Sequence, residues 1–150
     1  VTRVSGWNSR RAFNSESISA GYTEETDGTR INIEVSVEDK HELEQVINQL
    51  SKLIDIIKIV NLGEVDSIVR ELVLLKVRAN KETLKDIRNI VDVFRGKIVD
   101  ISPENVVIEI TGSQGKIDAI CAMMAQFEII EIARTGTIAI SRGPIPVKEM

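Results

Sequence analysis

The sequence reads as an α+β chain of two tandem modules, and three observations lead there. Residues 70–140 run strand, helix, strand, strand, helix, strand. Residues 1–62 run helix, strand, strand, helix, strand, the same order without an opening strand. Between them lies a short polar stretch, Gly63-Glu64-Val65-Asp66-Ser67, with the composition of a linker. The complete order is that of a ferredoxin-like βαββαβ unit, an antiparallel sheet with two helices on one face. The expected division is therefore a first module over 1–62, a linker over 63–69, a second module over 70–143 and a tail over 144–150.

The first module is legible from its periodicity. Ile31, Ile33, Val35 and Val37 alternate with Asn32, Glu34 and Ser36, a period of two that marks a strand with one buried face. Asp39 followed by Glu42 has capping-box spacing, and Leu43, Val46, Ile47, Leu50 and Ile54 then fall on one helical stripe. Residues 56–62 read as a further strand.

In the second module the strand over 70–79 ends at Asn80, a residue suited to cap a helix carrying Leu84, Ile87, Val91 and Phe94. Gly96 is placed to end that helix in the left-handed conformation. Strands over 97–101 and 106–111 flank a turn at Ser102-Pro103-Glu104-Asn105. Ser113 opens a helix with Ile117, Ile120, Cys121 and Met124 on its inner side, and a last extended stretch over 128–140 breaks at Gly136. Leu72 and Leu74 fall on the strand face that the helices leave open, so a second copy of the module is the simplest cover for it.

Composition narrows the chemistry. The 150 residues are 43% hydrophobic and 28% charged, with net charge -4, which argues against nucleic acid because phosphate contacts need a basic surface. Aromatic residues are only 3%, too few to stack bases on a ferredoxin-like sheet as an RNA-binding module does. The single Cys excludes an intramolecular disulfide and a thiolate metal cluster, and fits a reducing, cytoplasmic compartment. No apolar run approaches the ~20 residues that span a bilayer. His41, the only His, falls in the first turn of an exposed helix, and Cys121 falls on an apolar stripe. Neither has the setting of a proton shuttle or a nucleophile, so no catalytic or metal site is expected.

Two stretches suggest more than packing. In Ser9-Arg10-Arg11-Ala12-Phe13-Asn14-Ser15-Glu16-Ser17-Ile18, a basic helix end meets a polar strand start. Arg10 and Arg11 can complement the helix terminus and Asn14 can make the turn; Asn14 can also offer a donor and an acceptor to an amino acid's charged ends. In Ile132-Ala133-Arg134-Thr135-Gly136-Thr137, Arg134 and Thr135 sit within an apolar strand and mark either an interface or a strand edge.

Taken in order, the segments at 9–18, 43–55, 70–77, 94–101, 108–112 and 131–136, ending in Ser-Arg-Gly at 141–143, resemble the small regulatory subunits of acetolactate synthase (acetohydroxyacid synthase). The resemblance covers almost the whole chain. It implies an N-terminal ACT domain, here lacking its first strand, and a C-terminal ACT-like domain. It also implies a homodimer with ACT domains side by side, and a branched-chain amino acid, usually valine, bound between protomers. Such a subunit activates a separate large catalytic subunit and confers feedback inhibition on branched-chain amino acid biosynthesis. Thiamine diphosphate, magnesium and FAD belong to that catalytic subunit, and no cofactor is expected here.

Carried over by position, Asn14 matches the effector-binding Asn, and the backbone N–H of Ser15 would face the effector's carboxylate. Leu72, Leu74, Arg134 and Thr135 are candidate interface residues. The sequence departs from the family at Trp7-Asn8, usually Leu-Phe on the first helix, and at Ser15, usually Ile. The family's first strand and its Gly-containing loop fall before Val1, so this stretch is expected to bind valine weakly or not at all by itself. The alternative is an ACT-type binding or interaction module that regulates another enzyme.

Overall fold

The structure, a computed structural model, describes residues 15–24, 28–35, 37–53, 58–146 and 149, with only the backbone at 15–18 and 22. The expected first helix, with Trp7 and Asn8, and the candidate site residue Asn14 lie outside the described residues. Two compact units emerge: Val1–Ile68 together with Ile138–Met150, and Val69–Thr137.

In the first unit β1 (Ser15–Tyr22) pairs antiparallel with β2 (Thr29–Val35), Ser15 opposite Val35 and Tyr22 opposite Thr29. Helix α1 (Lys40–Ser51) starts where the spacing of Asp39 and Glu42 places it. The Asp39 carboxylate accepts from Glu42 N–H at 2.8 Å, and Glu42 Oε2 accepts from Glu38 N–H at 2.7 Å. The reciprocal arm of the capping box has thus moved back by one residue. Val46 and Leu50 of α1 are buried, with Ile33, Val35, Val37, Leu53 and Ile59 packed around them. That is the apolar side of both the alternating and the helical pattern.

The strand expected over 56–62 does not form in its described part. Residues 58–61 carry no regular structure, and Leu62–Glu64 make a 3-10 turn. The competitor is local: Asn61 Oδ1 accepts from Gly63 N–H at 3.0 Å and caps that turn. Nor is 63–69 wholly a linker, because β3 (Ser67–Arg78) has begun by Ser67. Residues 138–143, expected with the second module, group by contacts with the first unit, while the strand at 138–141 pairs with β3 as the fifth strand of its sheet. Arg142 N–H donates to Asp66 O at 2.8 Å, and Arg30 Nη2 donates to Ala139 O at 2.7 Å. These bonds hold β7 (Ile138–Ser141) to residues of its own unit.

The second unit has the expected ferredoxin-like order. After β3 come α2 (Leu84–Val93), β4 (Lys97–Ile101), β5 (Asn105–Gly112), α3 (Gln114–Met124) and β6 (Ile129–Arg134). The strands lie in the order β4-β5-β3-β6, each pair antiparallel. Alternation decides the core: Val73, Leu75 and Val77 of β3 and Val106, Ile108 and Ile110 of β5 are buried on one face. Ile87 and Val91 of α2 and Ile117, Ile120 and Met124 of α3 close over them. At about 1.5–3 kcal/mol for each large side chain withdrawn from water, this cluster is the main stabilising feature of the unit.

Helix α2 corrects one expectation. Asn80 caps the approach, its Oδ1 accepting from Glu82 and Thr83 N–H at 2.9 Å each. At the other end Gly96 N–H donates to Val91 O and Arg95 N–H to Asp92 O, the bond pair of a Schellman cap. The left-handed residue in that cap is Arg95, with φ 57°, and not Gly96. Gly96 is needed for closeness instead. A Cβ there would lie 2.6 Å from Ile110 Cγ1 and 3.2 Å from Glu109 O.

Candidate functional site

The candidate effector site is described only through the backbone of Ser15. Ser15 opens β1, and the register shifts between Ser15 and Ser17, so the ladder is irregular where the resemblance places the effector's carboxylate. Asn14, its expected partner in the site, lies outside the described residues.

The second group of candidates is described in full, and β3 divides it by face. Leu72 and Leu74 lie on the side away from the helices, Leu72 half-buried and Leu74 exposed. Lys76 follows on the same face and pairs with Glu131 of β6 at 3.0 Å. Arg134 is opposite Val73 in the β3–β6 register and therefore turns toward the helices. There its Nε donates to Glu71 Oε1 at 2.6 Å and its Nη2 to Glu71 Oε2 at 3.1 Å, a two-pronged fork. Asp118 of α3 accepts from the same Nη2 at 3.4 Å. Glu71 is 4% exposed, while the Arg134 side chain keeps 35% of its exposure. The hydrogen bonds to Glu71, with the carboxylate's charge, hold the guanidinium pKa well above its ordinary value. Removing either partner would cost on the order of 1–3 kcal/mol, less than for a fully enclosed pair because Arg134 is partly screened by water.

Thr135 completes this cluster. Its N–H donates to Leu72 O at 3.0 Å and its Oγ1 accepts from Leu72 N–H at 3.0 Å. The hydroxyl then donates to Gly136 O at 2.8 Å. A side chain thus finishes the β3–β6 ladder where the backbone turns away at Gly136, φ 76°.

Sequence reasoning singled out Arg134 and Thr135 but missed Glu71. The signal was present: Glu71 shares the period-two face of Val73, Leu75 and Val77, so its carboxylate had to point inward and needed a cation.

The two residues weighed for chemistry sit as follows. His41 is exposed on α1, its Nε2 3.3 Å from Gln45 Nε2. Cys121 is half-buried against the core, and burial pushes its thiol pKa up, with Arg134 opposing more weakly. A raised pKa lowers the thiolate fraction and hence nucleophilicity. Among the described residues no group of three or more His, Cys, Asp or Glu is placed to hold a metal. No helix among them is long and apolar enough to cross a membrane.

The comparisons with known proteins bear on the whole chain. Residues 70–143 match the family described as the small subunit of acetolactate synthase, and residues 1–58 match the AHAS small subunit-like ACT domain. The chain is 46% identical over 144 residues to the acetolactate synthase small subunit of Mycolicibacterium smegmatis, covering 96% of this chain and 84% of the relative. It is 43% identical to that of Haemophilus influenzae, with coverages of 95% and 88%. The crystal structure of the acetolactate synthase small subunit from Thermotoga maritima superposes with a TM-score of 0.83 at 38% identity, over 96% of this chain and 89% of that one. The chain therefore belongs to the acetolactate synthase small-subunit family, the regulatory subunits of that enzyme.

Proposed function

We propose that this regulatory subunit binds a branched-chain amino acid, valine, between the paired ACT domains of a homodimer. Binding passes the signal to the large catalytic subunit, which it activates and makes subject to feedback inhibition. The observation that carries the reading is the match of both modules, in order, to small subunits of acetolactate synthase. In this account the Asn14 side chain and the Ser15 backbone N–H hold the charged ends of the amino acid, a role that suits an amide's paired donor and acceptor. The chemistry, with its thiamine diphosphate, magnesium and FAD, stays in the catalytic subunit, in the cytoplasm.

Regulation then requires only differential binding. Valine must favour one arrangement of the dimer, and the catalytic subunit must prefer one of the two. A coupling of about 1–3 kcal/mol is typical, and it acts equally in both directions. The test is calorimetric titration of valine into the full-length subunit and its Asn14→Ala variant. Saturable binding that weakens at least tenfold in the variant supports the site. Equal affinity in both proteins removes Asn14 from it, and no heat at millimolar valine ends the proposal of valine as effector.

A further inference from the structure

A cavity of about 380 Å³ opens within the second unit, between the loop that joins β3 to α2 and the turn that joins β4 to β5. The loop and the turn are tied together: Ala79 N–H donates to Glu104 O at 2.9 Å. Ala79 and Val106, both buried, form part of the lining, with Leu84, Pro103 and the exposed Ile101 around them. Lys81 is the charged residue of this lining. Among the described residues its ammonium has no ion-pair or hydrogen-bond partner. The other polar side chains there are already engaged. Asn80 Oδ1 accepts from the N–H groups of Glu82 and Thr83, and the Ser102 hydroxyl both donates to and accepts from the Asn105 backbone. No carboxylate lines the cavity among the described residues.

We propose that this cavity binds a small aliphatic carboxylate that carries no α-ammonium group. Small-molecule sites have this composition, mainly apolar walls with a few polar groups that fix orientation. The apolar lining takes the hydrocarbon part, each CH2 withdrawn from water favouring binding about fourfold. The unpaired Lys81 ammonium takes the carboxylate. An amino acid fits worse, because its own ammonium would meet the like charge of Lys81 with no free side-chain oxygen to accept it. The site therefore selects a different chemistry from the amino-acid site proposed above. It is built by one unit alone and stands whether or not valine is the effector.

The experiment follows backbone amide shifts of the full-length subunit by NMR during titration with isocaproate, leucine and isohexanol. Isocaproate is leucine without its ammonium, and isohexanol is the same skeleton without the carboxylate. Saturable shifts at 79–84 and 101–106 are expected with millimolar isocaproate. Leucine and isohexanol should bind there at least about threefold more weakly, the worth of a partly exposed charge contact. Lys81→Met should weaken isocaproate about threefold to fivefold and remove its advantage over isohexanol. Lys85→Met, on the same helix but outside the lining, should change neither. Ile101→Glu places a carboxylate at an exposed position of the lining and should weaken isocaproate more than isohexanol. All three substitutions are at exposed side chains, and unchanged shifts elsewhere in the spectrum verify that the fold is retained. The proposal is overturned if isocaproate gives no saturable shift at these amides or shifts only the first unit. It is equally overturned if leucine matches isocaproate there, or if Lys81→Met leaves isocaproate affinity unchanged.

Discussion

Replacing Gly96 by Ala tests the packing of the second unit at its tightest backbone approach. The added Cβ would lie 2.6 Å from Ile110 Cγ1, 2.9 Å from Ile110 Cδ1 and 3.2 Å from Glu109 O. Ile110 is 1% exposed and locked in the core, and Glu109 O belongs to a β5 backbone paired on both sides. Neither neighbour can yield freely, so overpacking should cost about 1–3 kcal/mol. Loss of unfolded-chain freedom returns about 0.4–1 kcal/mol, because Gly96 lies outside the left-handed region and Ala meets no backbone strain there. The expected net effect is destabilisation by roughly 1–2 kcal/mol, measured by urea unfolding. In an Ile110→Ala background the two nearest atoms are gone, and the same substitution should cost less by at least about 0.5 kcal/mol. The companion change is Arg95→Gly. Arg95 holds φ 57°, so glycine there should stabilise by about 0.5–1 kcal/mol. If Gly96→Ala is neutral or Arg95→Gly destabilises, the assignment of the left-handed cap to Arg95 and of close packing to Gly96 is wrong.

Two further outcomes follow from the geometry. Asp39→Ala removes the acceptor for Glu42 N–H and should lower stability by about 1 kcal/mol, seen as reduced protection of the first turn of α1 in hydrogen exchange. Cys121, its thiol pKa raised by burial, should alkylate slowly in the folded protein and readily in urea. The sign of the linkage is fixed: as pH rises through the unfolded thiol's value near about 8.5, the unfolded chain releases its proton first. The Cys121 contribution to stability should then decline with rising pH, and Cys121→Ser should flatten that limb of the profile. Stability rising over that window would contradict the burial of the thiol.

Much of the fold was legible because its signals are local and periodic. The β4 strand, the turn at 102–105, the Ser113 cap and the break at Gly136 stand where residue types alone put them. What was not legible depended on competition or on distance. The apolar run at 56–62 read as a strand, yet in its described part Asn61 closes a turn on Gly63 at the end of the run. At α2 a glycine marked the helix end correctly, but the neighbouring arginine took the left-handed position, because Ile110 of β5 decides where there is no room for a side chain. The bonds of residues 138–143 could not be read from composition, since Arg30 is remote in the chain and Asp66 lies within the expected linker.

The candidate site divides in the same way. Arg134 and Thr135 stood out as polar residues in an apolar strand, but their role depends on Glu71 and Leu72, 63 residues away for both pairs. Their bonds point into their own unit, with Arg134 on the helix-covered face and Leu74 exposed on the other. Asn14 could be marked from the residues as a candidate ligand group, but a lone amide before a strand reads equally as a turn residue, and Ser15 was reached only through family resemblance.

The most direct measurement of the central claim is the rate of acetolactate formation by the catalytic subunit alone, with this subunit added, and with subunit and valine together. The account predicts a higher rate on addition of the subunit, and suppression of that rate by valine in a saturable manner that Asn14→Ala abolishes. A catalytic rate indifferent to the subunit, with or without valine, would contradict it.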